Sequence, residues 1–153
     1  MEIEDLLNPD NVLAGFRASS KKQALQALSR HLAEKVGVDC RDAFDGLMER
    51  ERLGSTGVGH GVAIPHARLK GLDRIVGLFA QLAEPIPFDS VDDQPVDLIF
   101  MLLVPEEAGA DHLKALAKVS RLLRDDRMCE KLRATHKAPA LFAMLSQPAS
   151  NAA

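Results

Sequence analysis

The stretch Asp97-Leu-Ile-Phe-Met-Leu-Leu-Val104, closed by Pro105, is a nearly continuous apolar run of strand length. A strand with one wet face alternates polar and apolar residues, whereas an unbroken run reads as a strand buried on both faces. Such a strand needs a layer of structure on each side. Arg74-Ile-Val-Gly-Leu-Phe-Ala-Gln-Leu82 is similarly β-branched and apolar, and reads as a second central strand. Val12–Phe16 reads as a first strand, after an apolar patch at Ile3, Leu6 and Leu7 and a turn signal at Asn8-Pro-Asp-Asn11. Glu84–Asp89 and Asp92–Pro95 carry three prolines between them and read as loops.

Helical patterns flank this block. Ser20 with Gln23 has the form of a capping box, Leu25, Leu28, Leu32 and Val36 follow at helical spacing, and Gly37 stands at the stop. Asp39 caps a second helix, about 40–53, with Ala43, Phe44, Leu47 and Met48 inward. A third starts near Asp111 with Leu113, Leu116, Ala117 and Leu123 inward. A fourth, capped by Asp125 or Asp126, covers about 127–134, and a fifth about 138–145. Helices before and after a block of apolar strands predict an α/β fold, a three-layer α/β/α sandwich with a small mixed β-sheet. The length of 153 residues is that of one domain, 1–153, with a core over about 3–146 and a frayed tail at 147–153.

Composition excludes several classes. A formal charge of −3 argues against a general binder of nucleic acid or anionic membranes, and the absence of Trp and Tyr weakens any reader that stacks bases. Apolar runs of about eight residues are too short for a membrane-embedded chain. The acidic start, Met1-Glu-Ile-Glu-Asp5, lacks the pattern of a signal peptide. Cys40 and Cys129 have no metal-ligand or CxxC spacing and read as idle thiols. A cytoplasmic location is the expectation.

The unusual chemistry sits at Gly54-Ser-Thr-Gly-Val-Gly-His-Gly-Val-Ala-Ile-Pro-His66, with four glycines in eight residues. This is neither GxxxxGK[ST] nor GxGxxG, so nucleotide binding by those motifs is disfavoured. A loop rich in free N–H groups can still cradle a phosphoryl group, with Ser55, Thr56 and Gly57 at its start. Val62-Ala-Ile64 reads as a short strand that Pro65 ends, presenting His66 at the strand exit with a lone pair available. From these residues alone, His66 stands between a nucleophile and an ordinary loop histidine. His112 opens the third helix on the stripe of Leu116, Val119 and Leu123, where the helix dipole disfavours its cation; a core histidine and a functional one fit equally. His60 lies in the loop, and His31 and His136 read as solvated. Arg50 and Arg52 end the second helix, either as part of a solvated charge run or with one guanidinium reaching an oxyanion. Arg50 shares a stripe with Gly46 and Leu53 and so lies toward the packed side more than Arg52 does, if the helix runs that far. No carboxylate pair accompanies His60 and His66, so no metal site is expected, and Ser55 lacks a nucleophile elbow.

The run from Arg50-Glu51 through Gly54-Ser-Thr-Gly-Val-Gly to Gly61-Val-Ala-Ile-Pro-His66 resembles the fructose/mannitol-type enzyme IIA of the bacterial phosphoenolpyruvate-dependent phosphotransferase system. Asp92–Pro105 and His112-Leu113 are similar to its other signature stretches, and the likeness covers about residues 3–146 in order. With no attached permease or carrier domain, the chain looks most like the nitrogen-regulatory branch. The resemblance implies a phosphotransferase that takes a phosphoryl group on His66 from a histidine phosphocarrier protein. It implies that His112 hydrogen-bonds the phosphoryl oxygens and that Arg50 neutralises them, helped by loop amides, without a cofactor or metal. It further implies a regulated partner, such as a potassium transporter or a sensor kinase. A sugar-specific IIA serving a separate permease, or a binding module regulating by contact alone, are the alternatives. The chain departs from the pattern at His60, where Asn is frequent, and at Glu49, where Thr is common. Val58 and Ile64 are expected to touch a docked carrier.

Overall fold

The computed structural model describes residues 1–147. In chain order its elements are α1 (Ile3–Leu6), β1 (Leu7–Phe16), α2 (Lys21–Val36), α3 (Cys40–Arg52), β2 (Gly57–Gly59), β3 (Val62–Ala63) and β4 (His66–Leu69). Then follow β5 (Val76–Ile86), β6 (Val96–Pro105), α4 (Ala110–Arg124), α5 (Asp126–Ala134) and α6 (Ala138–Ser146). The strands form one mixed sheet in the order β1-β5-β6-β3-β2, with β4 also on β6. β1 runs parallel to β5, β5 antiparallel to β6, and β3 and β4 parallel to β6. The expected mixed α/β sandwich is present.

The alternation along β6 shows why its apolar run is continuous. Ile99, Met101 and Leu103 face α2 and α3, packing with Leu25, Leu28, Leu32 and Leu47. Leu98, Phe100, Leu102 and Val104 face the other layer, with Ala115, Val119, Leu132 and Leu141 from α4, α5 and α6. All seven are fully buried, and each large apolar side chain contributes about 2 kcal/mol of transfer free energy.

Local signals set the helix boundaries. The Ser20 hydroxyl accepts from the Gln23 amide at 3.1 Å, and Gly37 turns left-handed at φ 78°. The return half of the capping box is missing, because the Gln23 side chain accepts from the Ser19 amide and hydroxyl instead. Asp39 caps α3 through the amides of Arg41 and Asp42, and Asp125, rather than Asp126, caps α5. Cys40 and Cys129 are free thiols.

Several expectations are corrected. The Asn8–Asn11 turn signal lies inside β1, where five steps from Leu7 to Val12 oppose two from Gly77 to Phe79. The extra residues form a bulge, and β1 is an edge strand, where Pro9 costs no ladder bond. Likewise, β5 continues through Pro85 to Ile86 across a register shift, so Glu84–Ile86 is strand and only Pro87–Asp89 of that stretch is loop. On α4 the buried stripe is His112, Ala115, Val119 and Leu123; Leu113 is 69% exposed and Ala117 faces solvent, so the inward face is rotated from that expected. The proposed frayed tail lies, after Gln147, outside the described residues.

Candidate functional site

His66 does not sit at a strand exit. Val62-Ala63 pairs with Leu98-Ile99 of β6, the chain breaks at Ile64-Pro65, and His66 opens β4 opposite Leu102. The Leu102 amide donates to the Pro65 carbonyl at 2.9 Å, holding this break against β6. Alternation then puts Ala67 and Leu69 into the α2/α3 layer and leaves His66 and Arg68 on the opposite face. The His66 ring lies 2.9 Å through Nδ1 from the Ile64 carbonyl, which can only accept, so Nδ1 carries the proton and Nε2 keeps its lone pair.

His112, in the first turn of α4, brings its ring to 5.4 Å from that of His66, edge-on at 69°. It is buried, and its Nε2 has no protein hydrogen-bond partner. Its Nδ1 accepts from Arg68 Nε at 3.1 Å, and Arg68 Nη1 reaches the Glu106 carbonyl at 3.4 Å. Both histidines are held below the usual imidazole pKa. For His66 the chief cause is burial; the Ile64 hydrogen bond opposes it and the Arg50 charge adds to it. For His112 burial leads again, followed by the charges of His66 and Arg68. Burial thus does the work that the sequence reading gave to the helix dipole.

Arg50 reaches this site from the other layer. α3 packs closely on β4 because Gly46 presents no side chain there: a Cβ at that position would lie 3.1 Å from Ala67 Cβ and 3.3 Å from Leu69 Cδ2. One turn later Arg50, half-buried, donates through Nη1 to the Gly54 carbonyl at 2.9 Å. Arg52 is an exposed partner of Glu49 at 2.7 Å. As the stripe of Gly46 and Arg50 predicts, Arg50 lies nearer the packed side than Arg52; Leu53 departs from that stripe at 82% exposed, and the Gly54 carbonyl orients Arg50.

The glycine segment is more ordered than an open loop. Gly57–Gly59 and Val62-Ala63 form a β-hairpin whose turn, His60-Gly61, has positive φ at both residues, 58° and 79°. The Ser55 hydroxyl donates to the Phe88 carbonyl at 2.7 Å and accepts from the Gly57 amide at 3.0 Å. The Thr56 amide and hydroxyl both donate to the buried Glu51 carboxylate. Hence the side chains of Ser55 and Thr56 and the amides of Thr56 and Gly57 are already engaged within the fold, in place of the free donors expected. Exposed His60 is fixed by its backbone: its amide donates to Asp92 and its carbonyl accepts from Arg133 at 2.7 Å. Of the two expected docking residues, Val58 is 51% exposed, but Ile64 is 4% exposed and belongs to the core.

Sequence reasoning singled out His66, Arg50 and His112; the structure places the two histidines ring to ring and Arg50 within electrostatic reach of His66. It passed over Arg68 and Glu51. Arg68 could have been found from its place two residues after His66 on the same strand face. Buried Glu51 carries no comparable signal, since it sits in the charged run Glu49–Arg52 that reads as solvated. Among the described residues, no group of three or more His, Cys, Asp or Glu side chains could hold a metal ion, and no helix is long and apolar enough to cross a membrane.

Comparison with known proteins gives the family. Residues 5–147 match the family model described as the phosphoenolpyruvate-dependent sugar phosphotransferase system, EIIA 2. The chain is 53% identical to a nitrogen regulatory protein of Bradyrhizobium diazoefficiens over 153 residues, all of both chains. It is 43% identical over 115 residues to a fructose-specific EIIA component of Haloferax volcanii, covering 74% of this chain and 75% of that one. The crystal structure of the nitrogen regulatory protein IIA-Ntr from Neisseria meningitidis superposes with a TM-score of 0.88 at 36% identity, covering 94% of this chain and 98% of that one. The chain therefore belongs to the EIIA 2 family of the phosphoenolpyruvate-dependent sugar phosphotransferase system and stands with its nitrogen-regulatory members.

Proposed function

We propose that this protein is a cytoplasmic phosphocarrier that accepts a phosphoryl group on Nε2 of His66 from a histidine phosphocarrier protein, and that its phosphorylation state regulates partner proteins. The observation that carries this is the Nδ1 contact with the Ile64 carbonyl, which leaves Nε2 of a neutral ring as the nucleophile. In the transfer the Nε2 lone pair forms the new N–P bond while the donor's N–P bond breaks, its electron pair returning to the donor ring. Such a transfer asks mainly for in-line positioning and stabilisation of charge on the three phosphoryl oxygens. Arg50 supplies the guanidinium for those oxygens, and the unpartnered Nε2 of His112 supplies a donor. Ser55, Thr56 and Gly57 contribute by shaping the segment beneath Arg50. Exposed Val58 belongs to the surface a carrier protein would meet.

Incubation with phosphoenolpyruvate, enzyme I and a histidine carrier is expected to place one acid-labile phosphate on His66. His66→Ala should take none, and Arg50→Ala should accept it about 100-fold more slowly, the scale of losing one charge-stabilising donor. Label on His66→Ala at the wild-type level refutes the assignment. The likeness to a fructose-specific component favours a second reading, in which the phosphate passes on to a fructose-type permease. Phosphotransfer from the loaded protein to such a permease separates that reading from regulation of partners such as a potassium transporter or sensor kinase.

A further inference from the structure

We propose that Arg68 is a positioning residue: its guanidinium, bonded to Nδ1 of His112, locks that imidazole with its proton on Nε2, the nitrogen that faces the transferred phosphoryl group. This rests on the phosphocarrier reading of the site and adds the group that sets the state of its second histidine. A guanidinium has five N–H donors and no acceptor, and remains charged in proteins. The 3.1 Å contact from Nε therefore requires a lone pair at Nδ1 of His112. A neutral imidazole with a lone pair at Nδ1 carries its hydrogen at Nε2. The same contact opposes the imidazolium, which would set an N–H of its own against the Arg68 N–H. Arg68 thus removes both unproductive states, the Nδ1–H tautomer and the cation.

The remainder of the geometry follows from the fold. His66 and Arg68 share one face of β4 because they are two residues apart, and α4 lays His112 across that face, with its ring 5.4 Å from His66. Arg68 is itself steadied by the Glu106 carbonyl, in the segment joining β6 to α4. His112 Nε2 is buried with no protein partner. A buried N–H without an acceptor is costly, and a phosphoryl oxygen on His66 removes that cost only when the group is loaded. The arrangement favours the phosphorylated state without an added positive charge on His112.

Long-range ¹H–¹⁵N correlation spectra of the full chain, unphosphorylated at pH 7.5, read the tautomer of His112 directly. The wild type is expected wholly as the Nε2–H form, Arg68→Met as a mixture of both tautomers, and Arg68→Lys, which keeps a charged donor, close to wild type. Phosphoryl acceptance on His66 should fall about 5-fold in Arg68→Met, the scale of one hydrogen bond, and recover in Arg68→Lys. Arg68 is solvent-facing, so circular dichroism should show all three proteins folded. An Nδ1–H form in the wild type, or an unchanged tautomer in Arg68→Met, overturns the proposal. So does wild-type acceptance by Arg68→Met despite a changed tautomer. A wild type that takes no phosphate refutes the phosphocarrier reading instead, and the tautomer spectra then decide the role of Arg68 without it.

Discussion

Glu51→Ala offers the sharpest test of how the segment before the hairpin is held. The carboxylate is buried and accepts from the Thr56 amide at 3.1 Å, from the Thr56 hydroxyl, and from Lys21 Nζ at 2.9 Å. Truncation strands two donors of Thr56, a residue 4% exposed. A buried polar group left without a partner costs about 1–3 kcal/mol. Lys21 loses less, since its side chain keeps the Phe88 carbonyl at 3.3 Å and the Phe88 ring at 4.7 Å. The sum is about 3–4 kcal/mol, near the range found when one member of a buried pair is removed. For a chain of this size that corresponds to a drop of about 10 °C in Tm. Urea unfolding should show a lower midpoint with an unchanged slope. Thr56→Val removes only the hydroxyl and should cost about 1 kcal/mol; the double variant should fall short of the sum, because both changes break one shared bond. A loss below about 1 kcal/mol for Glu51→Ala would show that water satisfies Thr56 and that the carboxylate does not brace this segment.

Two further outcomes follow from the site and its hairpin. Because His66 and His112 both titrate below 6.5, each is neutral at pH 7, and phosphoryl acceptance should hold as pH falls through 6.5 and decline only below it. The unfolded chain takes up these protons first, so stability is full above pH 6.5 and falls as pH drops toward the folded values; a urea midpoint that rises between pH 7.5 and 5.5, relative to a His66→Ala control, contradicts this sign. Gly61→Ala should destabilise by about 2–3 kcal/mol, from a side chain at φ 79° and the loss of a hydrogen bond. Its Cβ would lie 2.5 Å from Arg133 Nη2, the group that holds the His60 carbonyl. A Gly61→Ala protein with the wild-type urea midpoint would show that Arg133 does not latch the turn.

What the sequence made legible was mainly what short-range chemistry decides. Ser20, Gly37, Asp39 and Asp125 mark helix ends because each satisfies backbone groups within a turn of itself. The apolar run of β6 reported burial on both faces because no other strand position tolerates it. Errors arose where a partner strand or a neighbouring layer decides. Asn8-Pro9-Asp10-Asn11 has the residues of a turn, yet on an edge strand the same residues make a bulge. On α4 the sequence offered two stripes, one through Leu113 and Ala117 and one through His112, Val119 and Leu123, and packing against Phe100 and Leu102 selects the second. The glycines suggested an open cradle, while the actual hairpin depends on Asp92 and Arg133, distant in sequence.

The fold shows how side chains far apart in sequence come together at one place. His66 and His112 are 46 positions apart, and the connection between them is β6 itself. β4 lies parallel to β6 from Leu102 to Pro105, and the chain leaves Pro105 to enter α4 within five residues. A helix starting there returns over the face that His66 and Arg68 occupy, so its first turn meets them. The apolar run that dictates the layers therefore also dictates the ring-to-ring contact. On the other face Gly46 lets α3 approach β4 closely, and Arg50, one turn on, is held by the Gly54 carbonyl within electrostatic reach of His66. In the proposed phosphocarrier, charge recognition would arrive from one layer and hydrogen-bond donation from the other, with His66 at the broken strand between them. Substituting one of these side chains removes one group, whereas shifting β4 on β6 by one residue would turn His66 and Arg68 together into the opposite layer.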